Sequence, residues 1–354
     1  MRSPRFGTLL RVLVAMVLAP SVAAVSAPLA PVSAQATCSV DGFTDTPIEI
    51  MAPAAPGGGW DTTAREMQRV MQEEGIAPTV EVYNVEGAGG TVGIAQLVND
   101  EAGNDHQLMM MGLVMIGAIA TNASPVTLEQ TTPISSLTAE FEVIVVPADS
   151  QYQTLDDLIA AFKADPTAIS WGGGSAGGTD HILVGLMAQA AGVDPTQINY
   201  VPFSGGGEAL AAILGGQVTA GVSGIGEWMD QIESGELRAL AVSGAAGAEA
   251  GGATPVASAD AGSNAVIAPT LQEQGIDVEL ANWRGVVAPP EISDEGRDCL
   301  IALVEQTVAS EGWAETREKY DWQDFVKSGD EFGTFLDSER ERVTGILTEL
   351  GLIA

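Results

Sequence analysis

Positive charge is scarce in this chain: 14 lysines and arginines stand against 47 aspartates and glutamates in 354 residues, a net charge of −33 at pH 7. So acidic a surface argues against nucleic acid and anionic membrane as partners. Histidine is nearly missing too, with only His106 and His181, and the two cysteines, Cys38 and Cys299, lie far apart. Such a set forms no metal-ligand cluster, so neither a metal nor a cofactor is expected. Beyond the first residues, no apolar run free of charge or glycine reaches the ~20 residues a membrane span needs.

The N-terminus has a different pattern. Arg2, Arg5 and Arg11 lead into an apolar run from Val12 to Val25, broken by Pro20, and small residues follow up to Ala34-Gln35-Ala36. This predicts a secretory signal peptide over 1–36, cut after Ala36. Thr37 and Gln35 do not suit a lipid-attachment site at Cys38, so an extracytoplasmic, periplasmic or secreted, protein without a lipid anchor is expected. In an exported chain an isolated cysteine pair reads as a Cys38–Cys299 disulfide. Two unpaired thiols are the alternative, since Cys299 shares an apolar helix face with Leu300, Leu303 and Val304.

Glycine is abundant, at 42 residues, and it gathers in four loops between apolar and helix-like stretches. These are Pro56-Gly57-Gly58-Gly59-Trp60-Asp61, Gly87-Ala88-Gly89-Gly90-Thr91, residues 172–180 (GGGSAGGTD) and Ser204-Gly205-Gly206-Gly207. Without Cβ atoms, backbone N–H groups can converge on a ligand at the positive end of a helix. Four such loops suggest a cleft for a small anion. The acidic surface weighs little against this, because charges beyond a Debye length of ~8 Å are largely screened.

Strand, glycine loop and helix follow one another repeatedly. Residues 46–53, 80–82 and 108–111 read as strands, with Ala64, Met67, Val70 and Met71, then Ile94, Leu97 and Val98, at helical spacing. The cycle restarts after the apolar strand 141–147. Strands at 169–171, 198–203, 218–223 and 237–243 are joined by helices through Ile182 to Ala190 and up to Leu214. Residues 244–264, rich in Ala, Gly and Ser, read as a flexible insertion. An extended run over 278–290 and helices over 293–310 and 330–350 complete an α/β chain with a mainly parallel sheet. The extended runs at 141–147 and 278–289 would cross between two lobes.

Individual motifs are weaker than the pattern. Gly172, Gly174 and Gly177 fit a dinucleotide fingerprint with Asp194 downstream, but export and three sister loops without that spacing oppose it. Ser175 within GGSAG fits a nucleophile elbow, yet no histidine follows His181 to serve as its base. Arg65 and Arg284 are the only cations near the proposed cleft; Arg65 pairs more simply with Asp61 at i, i+4, and Arg284 reads as a hinge residue. Trp60, inside a glycine loop, reads as a cleft wall, and Trp283 divides evenly between wall and core. Asp61 reads first as a helix cap; Asp180 and His181, opening the third loop's helix, divide the same way. Hydroxyls at Thr91, Ser175, Thr179, Ser204 and Ser223 are further donors.

Taken together, PGGGWDTTAR (56–65), GAGGTVG (87–93), TNASPVTLEQTTPI (121–134), EVIVVPADS (142–150), WGGGSAGGTDHIL (171–183), FSGGGEAL (203–210) and NWRGVVAPP (282–290) resemble the substrate-binding subunit of the tripartite tricarboxylate transporter family. The resemblance implies a two-lobed type II periplasmic-binding-protein fold that is not an enzyme, with a mainly parallel sheet in each lobe. Lobe I would be 46–144 plus 282–354, and lobe II 145–281. It further implies a monomeric receptor that closes on a small carboxylate and passes it to a large and a small membrane subunit. Carried over, the ligand would meet Gly58, Gly59, Trp60 and Asp61; Gly89, Gly90 and Thr91; Ser175, Gly177, Gly178 and Thr179; and Ser204, Gly205 and Gly206. Asp180, Ser223, Asn282 and Trp283 complete the candidates. A secreted hydrolase using Ser175 and a sensor subunit of a signalling system are the competing functions.

Overall fold

The computed structural model describes residues 38–203, 205–244, 254–255, 265–266 and 268–353. The expected signal peptide, Ser204 and most of the 244–264 insertion lie outside them. No helix among the described residues is long and apolar enough to cross a membrane.

The chain opens with β1 (Ile48–Ala52), α1 (Gly59–Glu73), β2 (Val80–Asn84), α2 (Thr91–Asp100), β3 (Gln107–Gly112) and α3 (Leu113–Thr121). β1 pairs in parallel with β2 and β3. Ala64, Met67, Val70 and Met71 form a fully buried stripe on α1, as their helical spacing predicts. β3 is buried at every position, which is why Leu108 to Met111 form an unbroken apolar run rather than an alternation.

Next come β4 (Thr132–Pro147), α4 (Leu155–Ala164), β5 (Ser170–Gly173), α5 (Thr179–Ala191), β6 (Asn199–Pro202), α6 (Gly206–Leu214), β7 (Ala220–Gly224), α7 (Ile225–Glu233) and β8 (Leu237–Val242). After a short parallel pair, β9 (Thr254–Pro255) with β10 (Ala265–Val266), follow β11 (Ala281–Ala288), α8 (Asp294–Val308), α9 (Glu311–Tyr320), β12 (Gln323–Asp324) and α10 (Gly329–Glu349).

One sheet runs β2-β1-β3-β11-β4-β7-β5-β6, with β8 and β12 also on β4. The strands that feed the glycine loops are parallel to their neighbours, β2-β1-β3 on one side and β7-β5-β6 on the other. β11 and β4 are antiparallel to what they touch. The sheet is therefore mixed: parallel within each set, as expected, and antiparallel at the two crossover strands.

β4 is 16 residues long; its first part pairs with β11 and its last with β7 and β8. Sequence reading finds only its apolar end. The first part carries Ser135, Ser136 and Thr138, all at 0% exposure. They are tolerated inside because the returning C-terminal segment supplies acceptors: Ser135 Oγ donates to Lys327 O at 3.0 Å, Ser136 Oγ to Phe325 O at 2.5 Å and Thr138 Oγ1 to Gln323 O at 3.0 Å. Past Phe141 the strand alternates between two apolar clusters. Ile144 and Val146 join the main core, while Val143 and Val145 face Ile213, Val218 and Trp228. Cys38 and Cys299 are disulfide-bonded, which ties the segment before β1 to the buried face of α8.

Candidate functional site

All four glycine loops sit where a strand hands over to a helix. In the first, Gly58 is the N-cap of α1, and Asp61 fastens the turn. Its carboxylate accepts from Gly57 N at 2.8 Å, from Arg65 Nε at 2.9 Å and from Asn84 Nδ2 at 2.9 Å. Burial pushes the Asp61 carboxyl up, but these donors outweigh it and hold it below the usual carboxylate range. Arg65 is thus paired with Asp61, as the i, i+4 spacing predicts. Trp60 is only 8% exposed. A Cβ on Gly90 would meet its ring at 2.9 Å, so the indole supports the second loop from beneath.

The second loop has positive φ at four successive residues, Gly87 (135°), Ala88 (49°), Gly89 (63°) and Gly90 (91°). Such a run winds the chain into a left-handed turn, closed by Gly90 N donating to Gly87 O at 3.0 Å. Side chains are also excluded by space: a Cβ on Gly89 would lie 2.5 Å from that of Ala118 in α3. Thr91 Oγ1 donates to Ala88 O at 3.0 Å, closing the turn.

The third loop reaches α3 from the other side. Gly117 presses against the carbonyl of Gly177, and a Cβ on Gly177 would meet Thr121 at 2.5 Å. α3 is therefore held between the second and third loops. No amphipathic period marks its LVMIGAIAT sequence, so sequence reasoning missed it. Within the third loop Asp180 Oδ2 accepts from Gly174 N at 2.6 Å, and Tyr200 OH donates to Gly174 O at 2.9 Å. His181 Nδ1 accepts from Gly177 N at 3.1 Å, and the ring stacks on Tyr200 with centroids 4.1 Å apart. Burial lowers the His181 pKa to about 4, so the ring is neutral. Its accepting nitrogen is already occupied and offers no base to the half-buried Ser175.

The fourth loop is described from Gly205. Gly206 starts α6 with its carbonyl accepting from Trp228 Nε1 at 3.0 Å, and the Glu227 carboxylate and the Ser223 hydroxyl crowd its Cα. No atom would lie within 4 Å of a Cβ on Gly205. Thr179 Oγ1 donates to Asn282 Oδ1 at 3.3 Å, which joins α5 to β11.

Strand alternation separates the neighbours of Asn282. Arg284 turns to the loops: its guanidinium pairs with Glu140, lies over Trp322 at 5.3 Å and leaves only 2.7 Å to a Cβ on Gly59. Trp283 points the opposite way, 2% exposed, with Nε1 donating to Glu339 Oε2 at 2.8 Å and its ring edge-on to Phe335. The candidate Trp283 is thus a core residue, because i and i+1 on a strand face opposite sides.

Sequence reasoning also missed a group of acids. Glu140 and Glu142 project from β4, Asp180 from the first turn of α5 and Glu227 from the first turn of α7. Burial, followed by the charges of its acidic neighbours, pushes Glu142 well above the usual range. Burial also raises Asp180, to about 7, against the Gly174 N–H that lowers it. Glu140 is raised by burial, with Arg284 opposing. The signal was available in the i, i+2 spacing of two glutamates flanked by Ala139, Phe141 and Val143.

These shifts fix a sign. Between the ordinary carboxylate range and about 7 the native protein holds protons that the unfolded chain has lost, so stability falls as pH rises through that window. Below it, Asp61 and Glu66, whose pKa values are depressed, lose their contributions. His181, lowered to about 4, works in the opposite sense over the same window, so the acids' share is read from a variant: Glu142→Gln should lower the melting temperature at pH 5 relative to that at pH 8. An unchanged gap in the variant would assign the effect to overall charge instead.

Two sets of glycine turns facing across a sheet whose halves share two antiparallel strands define a two-lobed solute-binding protein. The model for the tripartite tricarboxylate transporter family receptor matches residues 63–352, and the chain belongs to that family. It is similar to Protein BugT of Bordetella pertussis, 27% identical over 321 residues that cover 89% of this chain and 93% of that one. Among solved structures it resembles MatC of Rhodopseudomonas palustris with bound malate, with TM-score 0.71, 19% identity and coverage of 85% and 98%. A second R. palustris protein, with adipate, gives TM-score 0.72, 20% identity and coverage of 86% and 98%.

Proposed function

We propose that this protein is an extracytoplasmic receptor that captures a small carboxylate between two lobes, 46–144 with 282–354 and 145–281, and delivers it to the membrane subunits of a tripartite transporter. The observation that carries this reading is α3 clasped between the second and third glycine loops, with Gly117 against the Gly177 carbonyl. A loop from each proposed lobe then packs on the same helix, and each loop leads into a helix N-terminus. The malate and adipate held by its structural relatives agree with a carboxylate ligand.

Gly59, Gly89, Gly205 and Gly206 would supply backbone donors, and Thr91, Ser175, Thr179, Ser223 and Asn282 polar side chains, while the N–H groups of Gly58, Gly90, Gly177 and Gly178 brace the turns from within. Asp61 and Trp60 shape the first two loops from behind. A ligand bridging both lobes favours the closed form through its differential affinity, and the membrane subunits would read that form. Saturating ligand should raise the melting point: at a hundred times Kd the native state gains about 2.7 kcal/mol. A thermal-shift series across mono-, di- and tricarboxylates that leaves the melting point unmoved would refute the carboxylate reading.

A further inference from the structure

Side chains from α5 and β6 hold the third glycine loop in place. Asp180 Oδ2 accepts from Gly174 N and Tyr200 OH donates to Gly174 O, while His181 takes the N–H of Gly177 and stacks on Tyr200. Asp180 also closes the end of β5, where a Cβ on Gly173 would lie 2.8 Å from its own. Asp180 in turn meets Glu142, which projects from β4 on the other side of the proposed lobe boundary. A loop of one lobe is thus fastened through an acid of the other.

That contact needs a proton. Glu142 is 0% exposed, and neither of its carboxylate oxygens meets an N–H or hydroxyl donor among the described residues. Two bare carboxylates side by side in the interior repel, so the pair holds at least one proton between them. The Gly174 N–H and the N-terminus of α5 favour negative charge on Asp180. The proton therefore sits on Glu142 and is donated to Asp180. Nothing else that faces the pair can replace it. Glu140 on β4 and Glu227 on α7 are themselves acids, and Arg284 on β11 is engaged with Glu140. His181 is neutral, and burial with the nearby acids keeps the Tyr200 hydroxyl protonated.

We propose that Glu142 is a positioning residue for the ligand site: through a proton shared with Asp180 it keeps the third glycine loop in its binding shape, and the loop comes loose when that proton leaves. This rests on the receptor reading above and adds a regulation to it. Burial, and then the neighbouring acids, raise both groups, Asp180 to about 7 and Glu142 well above the usual carboxylate range. The last proton therefore departs above neutral pH. Two charges then compete for one interior position, and Asp180 gives up Gly174. A receptor built this way holds its solute less tightly as pH rises.

The test is amide hydrogen exchange, read by mass spectrometry on the disulfide-bonded protein from pH 6 to pH 9 and corrected for the intrinsic pH dependence of exchange. Protection over 172–178 should fall about tenfold more than over 64–71 in α1, within the limit of about tenfold per pH unit for one linked proton. The side-chain amide in Glu142→Gln donates to Asp180 at every pH, so this variant should keep the loop protected and flatten the profile. Asp180→Asn, whose side-chain oxygen still accepts from Gly174 N, should do the same. A merely structural role lowers protection but retains the wild-type slope, and that result in both variants would overturn the proposal. So would a wild-type profile over 172–178 parallel to that over 64–71, which decides the question even if neither variant folds. Either result leaves the carboxylate receptor standing, because no ligand enters the measurement. A carboxylate series without a binder, conversely, removes the receptor reading and leaves the proton-held loop to be judged by exchange alone.

Discussion

Arg284→Ala should cost about 3–5 kcal/mol of stability, read as a lower urea midpoint, because it leaves a buried carboxylate without its counter-charge. Arg284 and Glu140 are each 4% exposed, and the guanidinium also lies over Trp322 and donates to Thr63 Oγ1 at 3.5 Å. Burial already raises the Glu140 pKa with Arg284 opposing it. Once Arg284 is gone, Glu140 should take up a proton more readily, so the loss should be smaller at pH 5 than at pH 8. Arg284→Met combined with Glu140→Gln should recover a large part of it, since no uncompensated charge then remains. A single variant unfolding at the wild-type midpoint at both pH values would show that the pair contributes nothing.

The second large effect belongs to the disulfide. Cys38 and Cys299 are 261 residues apart; closing so long a loop restricts the unfolded chain by about 5 kcal/mol on the chain-entropy account, with about 2–5 kcal/mol usual on removal. Reductant should therefore lower the midpoint of the wild type but not that of a Cys38→Ala, Cys299→Ala double variant. If reductant moves both equally, or neither, the bridge is not the source of the stability.

Where sequence and structure agree, the feature was local. The glycine loops fall at strand-to-helix turns because each lies between a short apolar run and a helical period, and both signals sit within a few residues. The cysteine pairing was legible for a simpler reason, there being only two. What escaped was set by partners distant in the chain. Ser135, Ser136 and Thr138 belong inside a strand only because residues 323–327 return to accept their hydrogen bonds. Trp283 went to the core because β11 had to turn Asn282 and Arg284 toward the loops. Glu140 and Glu142 were hidden among apolar neighbours, and their meeting with Asp180 and Glu227 depends on β7, α5 and α7 packing beside β4.

The bridge between Cys38 and Cys299 also alters the topology of the molecule. From one cysteine to the other the backbone is a covalent ring, with residues 300–354 as its tail. A single peptide-bond cleavage inside the ring opens it without parting the fragments, so a protease would have to cut twice within the ring to release a piece of it. The nicked protein should migrate at full mass until it is reduced, and α8 is where its two halves stay joined.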